Sequence, residues 1–186
     1  MFIQTEDTPN PATIKFLPGQ TVMEEGTAEF KSANEAGSSA LARQLFLTQG
    51  VKTVFFSGDY ISVTKTDDKD WSILKPRILA TIMDHYMTGL PVIDLEAYQK
   101  ANQKDDGVTS EIEKQIIEIL DTRVRPAVAQ DGGDIEFDRF DGGVVYLHMR
   151  GACSGCPSST ATLKMGIENM LKHFIPEVQE VRPVAA

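Results

Sequence analysis

Two thiols, Cys153 and Cys156, are the only cysteines in the 186-residue chain, and both fall in Gly151-Ala152-Cys153-Ser154-Gly155-Cys156-Pro157. Thiolates are nucleophiles, redox centres and soft metal ligands, so the chemistry of this chain is sought here first. The stretch follows Val144-Val145-Tyr146-Leu147-His148-Met149, a mostly apolar run that reads as a largely buried strand. Beyond it Leu163, Ile167, Met170, Leu171 and Phe174 recur at helical spacing. Pro157 suits the first helical position, where no backbone donor is needed. The thiols are therefore expected on a strand-to-helix loop near a helix N-terminus, whose unpaired amides and dipole favour thiolate over thiol. Gly151, Ala152, Ser154 and Gly155 are small enough for a bulky inorganic ligand to approach the backbone.

Several chemistries fit such a pair. Iron-sulfur clusters are held most often by four thiolates, and a two-fold dimer presenting Cys153 and Cys156 from each subunit would supply them. A cluster at that junction would be exposed to ligand exchange, which suits a carrier better than a permanent electron-transfer centre. Zinc would accept the same four thiolates in a structural dimer. A thiol-disulfide oxidoreductase would use one cysteine as nucleophile and the other as resolving thiol, although no aromatic residue precedes Cys153 and no early βαβ pattern surrounds it. A redox-inert pair of small core residues is the plainest reading, and the loop position of both thiols speaks against it. The spacing alone leaves iron-sulfur, zinc and dithiol chemistry open.

Other residue types with chemical potential read as structural. His85 is a structural or surface residue, and His148 is a strand histidine satisfied by a backbone or water partner. His173 lies near a helix end that favours a cation. Asp131, Asp134, Asp138 and Asp141 flank glycine turns, and their spacing misses the ligand order of an EF-hand. No paired-carboxylate, Ser/His/Asp or phosphate-loop arrangement supports catalysis, so the chain is not expected to be an enzyme.

The elements that must position the thiols belong to a globular chain, 41% hydrophobic and 24% charged. The expected class is α+β, with two small mixed domains joined by a polar linker. Twenty-seven acidic against eighteen basic residues give a net charge of -9, which offers no attraction for a nucleic-acid backbone. No stretch approaches the roughly 20 apolar residues that span a bilayer, so neither nucleic acid nor membrane is expected as a partner. The N-terminus lacks the marks of a secretory or transit segment. Two cysteines without an export signal point to a reducing compartment.

Residues 1–93 form the first expected domain. A strand is expected over Ile14 to Leu17, and a β-hairpin over Val51 to Phe56 and Tyr60 to Lys65 with Gly58 in its loop. Ser38 is expected to cap a helix carrying Leu41, Leu45 and Phe46. A second helix starts near Asp70, carries Leu74, Ile78, Ile82 and Tyr86, tolerates Pro76 only in or near its first turn, and stops at Gly89 and Pro91. Residues 94–109 read as a linker with a helical turn around Leu95 to Tyr98. The second domain, 110–186, reads as helix, hairpin, helix and strand. Ser110 and Glu113 have capping-box spacing ahead of Ile112, Ile116, Ile119, Leu120 and Val124, and Pro126 is expected to bend or end that helix. Strands follow around Ile135 and Phe137, over Val144 to Met149, and over Glu177 to Val181.

Taken together, Val124-Arg125-Pro126, Gln130-Asp131-Gly132-Gly133-Asp134 and the run from Met149 through the cysteines to Lys164 resemble the NifU-like, or Nfu, iron-sulfur cluster scaffold and carrier proteins. Thr8-Pro9-Asn10-Pro11-Ala12-Thr13-Ile14-Lys15-Phe16 and Ile82-Met83-Asp84-His85 resemble that family's separate N-terminal domain. The resemblance implies a [4Fe-4S] cluster bridged between two subunits by Cys153 and Cys156, with [2Fe-2S] as a further form. It implies receipt from upstream cluster assembly proteins, delivery to apo iron-sulfur client proteins, a homodimer when cluster-bound, and a client-recognition role for the N-terminal domain. A bacterial cytoplasmic location is expected, with the mitochondrial matrix as the alternative for a processed organellar form.

Overall fold

The structure, a computed structural model, describes residues 1–102, 109–155 and 157–184, with side chains outside the description at 157–159. The chain divides into two compact units, Met1–Lys104 and Asp105–Ala186.

The first unit is built on an antiparallel sheet. Its strands are β1 (Gln4–Asp7), β2 (Thr13–Leu17), β3 (Ala28–Phe30), β4 (Val51–Phe56) and β5 (Ile61–Lys65), in the order β1-β2-β5-β4-β3. The expected hairpin is the β4-β5 pair, with Val54 opposite Val63 and Phe56 opposite Ile61. Phe16, Phe30, Phe56 and Ile61 are fully buried with Leu41 and Leu45 of helix α1 (Ala40–Phe46) and Leu74, Ile78 and Ile82 of helix α2 (Trp71–Thr88). Burying each such side chain is worth about 1.5–3 kcal/mol, so the α2 stripe and the sheet define one core.

Three expectations are corrected in this unit. The cap of α1 is Ser39, whose Oγ accepts from the Ala42 amide at 3.0 Å and donates to the Val92 carbonyl at 2.6 Å. Ser38 instead ends a short 3-10 turn, Ala36–Ser38, and its carbonyl accepts from the Asp94 amide at 2.7 Å. Pro76 lies in the second turn of α2, because Asp70 caps the helix one residue before Trp71. The stretch read as linker carries helix α3 (Leu95–Ala101), capped by Asp94. Its Tyr98 hydroxyl accepts from the Glu29 amide at 3.1 Å, and its ring meets Phe30 edge-on at 5.5 Å. These contacts bind α3 into the first unit; residues 103–108 of the stretch lie outside the described residues.

The second unit follows the expected order of elements. Helix α4 (Glu111–Ile119) opens with a full capping box: the Ser110 Oγ accepts from the Glu113 amide at 3.2 Å, and the Glu113 carboxylate accepts from the Ser110 amide at 2.7 Å. Pro126 does not end the helical run. A π segment, Leu120–Val124, precedes it, and helix α5 (Arg125–Gln130) holds it in its first turn. The Arg125 amide bonds the Leu120 carbonyl, one residue further back than in an α-helix, and the widened turn accommodates a residue that has no amide to give.

Strands β6 (Gly133–Asp141) and β7 (Val144–Gly151) pair antiparallel through the two-residue turn Gly142-Gly143, with φ of 56° and 83°. Helix α6 (Pro157–Phe174) then crosses over to β8 (Glu180–Pro183), which pairs parallel to β7. The last strand was expected over 177–181; residues 178 and 179 instead make the approach to it, with the Gln179 amide bonded to the Gly143 carbonyl at 2.7 Å. Ile116, Leu120, Ile135, Val145, Leu147, Leu171 and Val181 are buried in one cluster of this unit.

Candidate metal centre

The loop between β7 and α6 is set by its glycines and by the end of the sheet. Gly151 takes φ 58° and Gly155 φ 73°, left-handed conformations that turn the chain out of the strand and toward the helix. The Ala152 amide donates to the Gly132 carbonyl at 3.1 Å, the Cys153 amide to the Arg150 carbonyl at 3.3 Å, and the Ser154 amide to the Gly151 carbonyl at 3.1 Å. Cys153 thus lies on the expected strand-to-helix loop, four positions ahead of Pro157, the first residue of α6. Its partner in the motif, Cys156, lies outside the described residues.

The depth of Cys153 was not expected. It is only 6% exposed and belongs to the core cluster that holds Ile135 and Ile167. The space it uses is opened by Gly133, opposite Gly151 in the β6-β7 register. A methyl group on Gly133 would come within 2.4 Å of the Cys153 Sγ and 2.9 Å of both the Arg150 carbonyl and the Cys153 amide.

A second nonlocal feature fastens this end of the sheet. The Arg125 guanidinium donates to both oxygens of Asp134, at 2.8 and 2.9 Å, and reaches Asp121 at 3.1 Å. Asp134 is buried, and its Oδ1 also accepts from the Ile135 amide at 2.8 Å. The hydrogen bonds that Arg125 donates to Asp134 hold its pKa above the ordinary value, against the opposing effect of burial. Neither Arg125 nor Gly133 was assigned a role beyond motif resemblance and turn formation. The Arg125 to Asp134 spacing of nine residues fits no single helical or strand period, so no local rule points to that pair.

The histidines and Asp138 resolve into structural contacts. His148 Nε2 lies 2.8 Å from the Asp138 Oδ1, so a carboxylate rather than backbone or water is its partner. Asp138 sits at the irregularity in the β6-β7 register and also meets Arg139, whose guanidinium stacks 3.9 Å over the Tyr146 ring. His173 packs edge-on to Phe174 at 4.9 Å near the end of α6. His85 is buried in α2. Among the described residues, no group of three or more His, Cys, Asp or Glu side chains is arranged to hold a metal ion. Also among them, no helix is long and apolar enough to cross a membrane.

The chain matches two family descriptions: "Scaffold protein Nfu/NifU N terminal" over residues 3–89 and "NifU-like domain" over residues 116–182. It is 49% identical to the human "NFU1 iron-sulfur cluster scaffold homolog, mitochondrial" over 99% of its own length and 72% of that protein. It is 51% identical to the Arabidopsis thaliana "NifU-like protein 4, mitochondrial" over 97% of its own length and 65% of that protein, slightly under two thirds. A solved NifU-like protein from Saccharomyces cerevisiae matches 50% of this chain and 85% of its own at 27% identity, with a TM-score of 0.47. The expectation of a bacterial cytoplasmic location is overturned by the human and Arabidopsis relatives, which are named mitochondrial proteins. By near-half identity along almost its whole length and by both domain matches, the chain belongs to the NifU-like (Nfu) iron-sulfur cluster scaffold family.

Proposed function

We propose that this protein carries an iron-sulfur cluster as cargo, a [4Fe-4S] cluster held between two copies through Cys153 and Cys156, and passes it to apo-proteins. The supporting observation is the loop itself. A thiol on a strand-to-helix turn, among the small residues Gly151, Ala152, Ser154 and Gly155, is a soft donor, and iron-sulfur clusters take such donors. The two cysteines of one chain fall short of the four thiolates that such a cluster most often takes. A second copy related by a two-fold axis completes the ligand set with the same two residues.

In this reading the chain does no bond-making chemistry on a substrate. The second unit holds and releases the cluster, and incoming thiols of an apo-protein displace Cys153 and Cys156 by ligand exchange. The first unit, with its own sheet and core, serves recognition of the recipient. Names of the relatives support the scaffold role; cluster type, bridging and transfer are the content of the proposal.

Anaerobic reconstitution of the full chain with iron and sulfide tests it, read by metal and sulfide analysis, Mössbauer spectroscopy and mass in solution. About four irons per dimer, with dimerisation tied to cluster content, is the expected result. A protein that stays monomeric and iron-free yet reduces disulfides through its two cysteines would make it a thiol-disulfide oxidoreductase. A dimer holding zinc in preference to iron and sulfide would make the site structural.

A further inference from the structure

We infer that Gly133 is a positioning residue for Cys153: by lacking a side chain it seats the thiol inside the second unit, so that loading a cluster requires the Cys153 loop to move outward. The inference rests on the carrier reading above, and it concerns the state of the protein before the cluster arrives.

Close packing, not backbone conformation, keeps position 133 a glycine. Its φ lies outside the left-handed region, unlike that of the adjoining Gly132 at 79°, so backbone conformation does not demand glycine there. Contact does. A Cβ at 133 would come within 2.4 Å of the Cys153 Sγ, far inside any permitted approach, and would also press on the Arg150 carbonyl and the Cys153 amide at 2.9 Å. Those two backbone groups are the acceptor and donor of the 3.3 Å hydrogen bond that closes the turn before the thiol. Gly133 is therefore the floor of the thiol's seat and of the turn that presents it.

The seat faces inward. Cys153 is 6% exposed and packs among apolar residues of the core cluster. A ligand shared across a two-fold axis must instead reach the surface where the second copy docks. The resting and loaded positions of this thiol differ, and the glycines of the loop at 151 and 155 supply backbone that can change conformation at little steric cost. Holding Cys153 inside also shields it from oxidants, because oxidation of thiols follows their exposure.

The test is the alkylation rate of Cys153 in the full-length apo-protein. Cys156→Ser isolates the signal, and a maleimide is the probe. Rates are taken at the high-pH plateau, where access rather than ionisation limits them. Gly133→Ala in that background should raise the rate about tenfold, since the thiol is displaced from its seat. Gly143→Ala is the control for general loosening: the atoms nearest a Cβ there belong to the Gln179 side chain, at 3.0 Å, and the strained φ of 83° weakens the β6-β7 turn away from Cys153. An unchanged rate in Gly133→Ala, or an equal rise in Gly143→Ala, overturns the inference. If Gly133→Ala fails to fold, Gly133→Ala combined with Cys153→Ala decides. Recovery of the fold identifies the sulfur as the obstacle, whereas failure of both leaves backbone contacts in charge and overturns the assignment. None of these measurements uses iron, so failure of the inference and failure of the carrier reading are separately visible.

Discussion

The Arg125 guanidinium grips both carboxylate oxygens of Asp134, at 2.8 and 2.9 Å, and so ties the helix that follows the π segment to the strand end facing the cysteine loop. Asp134 is 5% exposed at its side chain while Arg125 keeps 37%, so the pair is half sheltered. Removing one partner leaves a buried carboxylate without its cation or leaves Arg125 with Asp121 as its carboxylate. Such breaks cost several kcal/mol when fully buried, and the solvent at Arg125 reduces that. Asp134→Ala should destabilise the second unit by about 2 kcal/mol, and Arg125→Lys, which loses the fork, by about 1 kcal/mol. Amide exchange across β6 and β7 measures this directly. Unchanged protection in Asp134→Ala would mean that the ion pair is energetically silent.

His85 gives the first unit a pH dependence whose sign follows from burial. Burial lowers its pKa below the ordinary 6.5, with the backbone at Pro91 and Leu90 pulling the other way. As pH falls through 6.5 the unfolded chain binds a proton that the folded chain excludes. Stability therefore rises with pH in this window and is lost on acidification from about pH 7 to 5. Asp68 and Asp70, whose pKa values lie below 3.8, titrate outside it. The His85 Nε2 is buried with no hydrogen-bond partner, so His85→Leu removes both a costly polar atom and the proton uptake. Trp71, the only tryptophan, reports unfolding of this unit by fluorescence. The expected result is a flatter stability profile between pH 7 and 5 in the variant, and an undiminished slope would assign the effect to another group.

Pro76 marks a place where helix periodicity overrode a local rule. The apolar stripe Leu74, Ile78 and Ile82 carries α2 through a proline in its second turn, where the ring removes a donor and crowds the carbonyl of Ser72. Burial of three large side chains outweighs that local penalty. Pro76→Ala should therefore stabilise the first unit by about 1–2 kcal/mol, seen as a higher thermal midpoint by Trp71 fluorescence. A midpoint that fell would show that the surrounding turn had adapted to the ring.

What the sequence made legible was local. The Ser110 and Glu113 capping box, the glycine turn at 142 and 143, and Pro157 at the head of α6 all act through neighbours within a few residues. The stripe residues of α2 were legible because one helical period repeats without interruption. The π segment was not, because Leu120 and Val124 keep an apolar spacing that does not distinguish a bond to the fourth residue from one to the fifth. The edge strands β1 and β3 are too short to show a period, and β3 pairs with β4 more than twenty residues on. Helix α3 runs past the helical turn expected around Leu95 to Tyr98, in a polar stretch whose Leu95 and Tyr98 find their apolar partners only in the fold, Tyr98 reaching Glu29 and Phe30. At the candidate site the motif announced the thiols, but the depth of Cys153 depends on Gly133, twenty residues away in sequence. The pairing of Gly133 with Gly151 and the Ala152 to Gly132 hydrogen bond bring those two positions together, and neither is local in sequence.

The ligand assignment predicts a separation between binding and folding. Cys153→Ser and Cys156→Ser should each abolish stable cluster retention on reconstitution, because a hydroxyl is a poor substitute for thiolate at iron. The fold should persist, since Cys153 contributes one small side chain to a core that also holds Ile135, Leu147, Ile167 and Leu171. Replacing a buried thiol by a hydroxyl costs about 1–2 kcal/mol, short of what unfolds a typical domain. Iron and sulfide analysis beside circular dichroism reads both quantities in one preparation. Normal iron and sulfide in either variant would remove that cysteine from the ligand set.

Recognition of the recipient is the role proposed for the first unit, and the unit boundary says where to cut. Because α3 packs on the first unit, a deletion ending at 93 would leave its amphipathic residues Leu95 and Tyr98 without their core, whereas removal of residues 1–104 leaves the second unit whole. That unit keeps its own apolar cluster, its complete sheet and both cysteines, so cluster assembly should proceed as in the full chain. Transfer to an apo-enzyme that needs a [4Fe-4S] cluster should fall several-fold, because ligand exchange would then depend on random encounter rather than on a docked recipient. Recovery of the recipient's activity over time gives the rate. Equal rates for the truncated and full chains would leave the first unit without a part in recognition, while loss of cluster assembly in the truncated chain would place part of the binding function in the residues removed.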